Sequence, residues 1–71
     1  MHFTGRKPTA EELTILRALI EAGGWMYNEK VNAMSPTAWA CVERMNTLRW
    51  VIVTTSVHIT DEGREAAGSL P

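Results

Sequence analysis

Cysteine is scarce in this chain: there is one, Cys41. A lone cysteine cannot close an internal disulfide, and that usage fits a reducing, cytoplasmic compartment. Long apolar runs are missing too, since none approaches the roughly 18 residues of a membrane span. The opening MHFTGRKPTA lacks the apolar stretch of a secretory leader, so cytoplasmic location is expected. Excess charge of either sign is absent: seven Lys and Arg face eight Asp and Glu, for a net charge of −1 and a pI of about 6.1. Nucleic-acid-binding domains usually have a pI above roughly 9, although a local basic patch can outweigh the total. No glycine-rich loop follows a strand, so no phosphate cradle is expected. A metal site needs three or four convergent ligands, and Cys41, His2 and His58 have no ligand spacing. Cys41 with His58 is a nucleophile pair on paper only; a buried structural cysteine is the plainer reading. The expectation is therefore no enzyme, no metal and no cofactor. Repeats and low-complexity segments are lacking as well.

What is present is a short, ordinary globular composition. The chain has 71 residues, 45% apolar and 21% charged, which suits one small folded domain. A core of this size supplies only about 3–5 kcal/mol, so a partner or a second copy would help.

Residues 1–8 read as a flexible basic arm, punctuated by Gly5 and Pro8 and charged by Arg6 and Lys7. The rest, 9–71, reads as one domain. Thr9-Ala-Glu-Glu12 is a capping box that opens helix one. Leu13, Leu16, Leu19 and Ile20, with Ile15 alongside, form its buried stripe. Gly23-Gly24 ends it. Trp25–Tyr27 suits a minimal strand, and Asn28 is placed to cap a helix over 29–34 with Val31 and Met34 facing inward. Ser35 as N-cap and Pro36 at the first helical position open helix three, about 36–48. On a helical wheel Ala38, Cys41, Val42, Met45 and Leu48 share the core arc, while Pro36, Ala40, Glu43, Arg44 and Thr47 lie opposite. Trp39 sits on the boundary. The β-branched runs 50–55 and 57–60, with a break near Ser56, suit a tight hairpin. Thr60 then caps a last short helix opened by Asp61-Glu62. Trp25, Trp50, Met26, Met34 and Met45 are expected in the core.

This order resembles the winged helix-turn-helix domain, in the manner of the multidrug-resistance-regulator-like and PadR-like bacterial repressors. TAEELTILRALIEAGGW looks like their first core helix, VERMNTLRWVIVTT like the recognition helix entering the first wing strand, and HITDEGREAA like the end of the wing and its capped helix. The resemblance implies an α+β fold: a three-helix core, a short two-stranded β-hairpin wing and a short C-terminal helix. Three features depart from that pattern. The chain between Trp25 and helix three is about one helical turn short, the hairpin has almost no tip and no basic residue there, and Arg49 stands where glycine is common.

In that family helix three enters the DNA major groove. Carried over, its outer residues are Ser35, Pro36, Thr37, Trp39, Ala40, Glu43, Arg44 and Thr47. Arg44 could grip a phosphate or a guanine edge, Thr37 and Ser35 could bond phosphate, and Arg6 and Lys7 could reach the backbone or minor groove. Glu43 opposes binding, because a carboxylate there repels phosphates. The implied function is a small DNA-binding transcriptional regulator, a repressor, with a homodimer doubling its few phosphate contacts. The competing reading is a protein-interaction module, a small modulator of a host or phage complex, with Trp39 as an exposed aromatic anchor. Trp39 packed on helix two or on the arm is the bland alternative.

Overall fold

A computed structural model describes residues 7–68. Residues 1–6, and with them Arg6, His2 and most of the expected arm, lie outside the described residues; Lys7 is exposed. The architecture is a small α+β domain. Its elements run α1 (Ala10–Glu21), β1 (Trp25–Tyr27), α2 (Asn28–Asn32), α3 (Ala38–Thr47), β2 (Val51–Val53), β3 (Ser56–Ile59) and α4 (Asp61–Ala66). The three strands form one antiparallel sheet of order β1-β3-β2. The expected hairpin is present as β2–β3, and the minimal strand 25–27 joins it as a third strand, so the sheet is not the two-stranded one expected. Met26 of β1 pairs with Val57 and Trp25 with His58, and the Ile59 amide donates to the Gly24 carbonyl at 2.9 Å. A three-residue apolar stretch cannot satisfy its backbone alone, and the outer edge of the hairpin supplies the partners.

Helix α1 starts where its cap chemistry places it. The Thr9 hydroxyl accepts the Glu12 amide at 3.2 Å, and the Glu12 carboxylate accepts the Thr9 amide at 3.0 Å. It ends in a Schellman motif: Gly23, at φ 97°, donates to the Ile20 carbonyl, and Gly24 donates to that of Leu19. The core gathers Ile15, Leu16 and Leu19 of α1, Val31 of α2, Ala38, Cys41, Val42 and Met45 of α3, then Trp50, Val51, Val57 and Ala67. Leu13, Ile20 and Leu48, expected fully inside, are half-buried against it.

Several local expectations need correction. Tyr27, not Asn28, holds the N-cap position of α2. Asn28 belongs to the helix, and its side-chain amide reaches the Thr54 carbonyl at 2.8 Å, tying α2 to the hairpin turn. Met34 lies beyond α2 and is exposed. Helix α3 begins at Ala38, two residues later than the Ser-Pro signal suggests, because the Ser35 and Thr37 hydroxyls are drawn to Glu11 of α1 instead of capping. The hairpin turns at Thr54-Thr55; Ser56 is a buried strand residue opposite Tyr27. Trp25 is 41% exposed, not core, because β1 turns it to the outer face of the sheet while Met26 points to the core side. Trp50 and Met45 are buried as expected.

The end of α3 and the start of α4 meet at Trp50. Arg49 adopts φ 66°, the left-handed position that glycine usually fills, so that the Trp50 amide can donate back to the Met45 carbonyl at 2.9 Å. The Trp50 carbonyl accepts from the Thr60 amide at 3.0 Å and the Thr60 hydroxyl at 3.0 Å. Thr60 in turn caps α4 by accepting the Gly63 amide at 3.0 Å. A Cβ at Gly63 would lie 2.1 Å from the Trp50 carbonyl oxygen. Gly63→Ala should therefore cost at least about 3 kcal/mol in urea denaturation, since backbone must move to admit the methyl group. Arg49→Gly should shift the same transition the other way, by about 1 kcal/mol, because it relieves the left-handed conformation.

Candidate functional site

The outer side of α3 is the surface the sequence marks, and the fold leaves it open. Pro36, Thr37, Ala40, Glu43, Arg44 and Thr47 are all exposed. The core arc of the same helix packs on α1 and the sheet, so the 3.6-residue period divides buried from open residues cleanly. Thr37, Ala40, Arg44 and Thr47 follow i, i+3, i+4 spacing and make one stripe of short side chains around a single arginine. The Thr47 hydroxyl donates to the Glu43 carbonyl of its own helix at 3.2 Å.

Two neighbouring carboxylates of α1 reach across to this surface. Glu11 is half-buried and takes the Ser35 hydroxyl and, at 2.6 and 2.8 Å, the Thr37 hydroxyl. Those two bonds hold its carboxyl below the usual value. Glu12 is fully buried, and the Arg44 Nε donates to its Oε2 at 3.2 Å. The Arg44 guanidinium also approaches the Cys41 sulfur at 3.3 Å, while 52% of the arginine side chain stays in solvent. The Glu12 bond raises the Arg44 pKa further above its ordinary range. Burial pushes the Cys41 thiol up, with the nearby Glu11 charge adding to it. Cys41 is thus a core group, whereas His58 faces solvent from β3. Among the described residues no three His, Cys, Asp or Glu side chains gather as a metal group.

The structure brings Ser35, Thr37 and Arg44 together on α1 and leaves Ala40 and Thr47 beside them. Trp39 departs from this set. It is half-buried against the core and forms one wall of a shallow 360 Å³ cavity with Asn28, Glu29 and Asn32 of α2.

Sequence reasoning missed a second surface. Trp25, His58 and Ile52 occupy one row across the three strands, on the outer face of the sheet. His58 stacks on Trp25 at a centroid distance of 6.2 Å, and Tyr27 meets Trp25 edge-on at 5.0 Å. Tyr27 and Ile52 are 58% and 53% exposed. The signal was in the alternation: Trp25-Met26-Tyr27 and Val51-Ile52-Val53 each send alternate residues to opposite faces.

No family model, curated protein or solved structure matches this chain. Among the described residues no helix is long and apolar enough to cross a membrane.

The buried carboxylate gives a direct test. Glu12→Ala should cost about 2–3 kcal/mol, more than the ~1 kcal/mol of Thr9→Ala, because it strands the Thr9 amide and also leaves a void. Thermal melts of the two variants decide the order. In the folded chain Cys41 should react with a thiol reagent at pH 8 at least a hundredfold more slowly than in urea, since the thiol is 1% exposed and its thiolate disfavoured.

Proposed function

We propose that this chain is a small winged-helix domain that binds double-stranded DNA through α3, in the role of a transcriptional regulator. The element order and the β1-β3-β2 sheet support the likeness to multidrug-resistance-regulator-like and PadR-like repressors. One observation carries the functional reading. The stripe Thr37, Ala40, Arg44 and Thr47 stands open on α3, small enough to enter a groove, with Arg44 oriented by a buried carboxylate yet half in solvent. A guanidinium held on one side and open on the other is pre-positioned for a phosphate or a guanine edge. Lys7, at the start of the described chain, is exposed and adds a further cation. A homodimer would double the small number of phosphate contacts a single copy can make.

A second reading is favoured by the aromatic face of the sheet. Trp25 and Tyr27 are residue types that anchor protein partners, Ile52 extends the exposed apolar face, and the net charge of −1 suits a protein surface better than a phosphate backbone. Under it the anchor is Trp25 with Tyr27, since Trp39 is half-buried against the core.

Anisotropy titration of a random-sequence duplex separates the two. Under the DNA reading the chain binds at about 50 mM salt, and with roughly three phosphate contacts the affinity falls about 40-fold at 200 mM. Arg44→Ala should abolish most of that binding and Trp25→Ala should leave it within twofold. An absence of binding at the lower salt sinks the DNA reading.

A further inference from the structure

Three polar side chains of the α3 face and its lead-in loop, Ser35, Thr37 and Arg44, are already engaged by acids. Ser35 and Thr37 both donate to the Glu11 carboxylate, and Arg44 is paired with Glu12. Two hydroxyls converging on an oxyanion, with a guanidinium nearby, is the donor set that protein surfaces offer to a DNA phosphate. The two carboxylates differ in kind. Glu12 is fully buried and built into the helix cap, so it is part of the framework. Glu11 is only half-buried, and its long-range bonds run to the loop and helix start that would meet DNA.

We propose that Glu11 is an internal competitor for DNA phosphate, holding the Ser35 and Thr37 hydroxyls and placing a negative charge at the groove face, and that it thereby caps the affinity of α3 for DNA. The inference rests on the DNA reading above. A phosphate approaching the stripe must displace a charged group already satisfied by both hydroxyls, and it meets Coulombic repulsion at a separation well inside the ~10 Å screening length of ordinary salt. The hydroxyl bonds keep the Glu11 carboxyl ionised at neutral pH. Release therefore comes through competition by the ligand and not through protonation. Glu43, exposed on the same helix, adds to the repulsion without holding either hydroxyl.

The test is Glu11→Gln in the full chain, with Glu21→Gln as the control. Glutamine still accepts from both hydroxyls, so the loop geometry survives while the charge is removed. Glu21 lies at the far end of α1 and takes away the same net charge. At about 50 mM salt, Glu11→Gln should bind a random duplex roughly three- to tenfold tighter than the parent, and Glu21→Gln should stay within twofold. Circular dichroism checks that each variant is folded, and Glu11→Ala provides a second removal of the charge. If the parent binds and neither Glu11 variant binds more tightly, the competitor is disproved and the DNA reading stands. If Glu21→Gln gains as much as Glu11→Gln, the effect is net charge alone and the proposal is overturned. If no variant binds duplex at all, both the competitor and the DNA reading fall.

Discussion

The junction at Trp50 holds the halves of this domain together. Its amide closes the C-terminus of α3, its carbonyl takes both the amide and the hydroxyl of Thr60, and its ring fills the core at 1% exposure. Through Thr60 the same carbonyl is linked to the cap of α4, and Gly63 lets that helix lie against the Trp50 backbone. One residue thus fixes where a helix ends, where a strand starts and where the last helix docks. In a chain with so small a core, hydrogen bonds that each join two elements contribute disproportionately.

With that junction set, the orientation of α3 follows. Its apolar arc is pinned between α1 and the sheet, and its other arc has nowhere to go but outward. The α1 carboxylates then act on the exposed arc from the side. Glu12 belongs to the local cap and to a partner 32 positions away, Arg44. Its burial is tolerable because a carboxylate paired and hydrogen-bonded on both oxygens is offset where a bare one would not be. Glu11 restrains the start of α3 in the same way from a more exposed position. The exposed arc of α3 is therefore braced, with polar groups held in place by Glu11 and Glu12, and the outer face of the sheet carries a separate aromatic surface.

Much of this was legible in the residues. The capping box at Thr9, the glycine stop at Gly23, the Thr60 cap and the split of α3 into core and open arcs all rest on local periodicity and cap chemistry, which the sequence carries directly. What was hidden depends on pairings between distant segments. Ser35-Pro36 has the signature of a helix start, yet Glu11 from α1 competes for the Ser35 hydroxyl and the helix begins later. Asn28 looks like a cap, yet the hairpin turn at Thr54 claims its amide. Trp25 and Met34 look like core by size alone, and only the pairing of β1 with β3 and the early end of α2 turn them to solvent. At the candidate site, the residues of the α3 stripe were readable one by one, while their ties to Glu11 and Glu12 were not.

The most direct measurement is a residue-by-residue map of amide chemical shifts as duplex DNA is added to the isotope-labelled chain at low salt. If α3 is the DNA-binding surface, saturable shifts cluster at Thr37, Ala40, Arg44 and Thr47, with the outer sheet residues Trp25, Ile52 and His58 unmoved. Shifts confined to that sheet face, or none anywhere on α3, would contradict it.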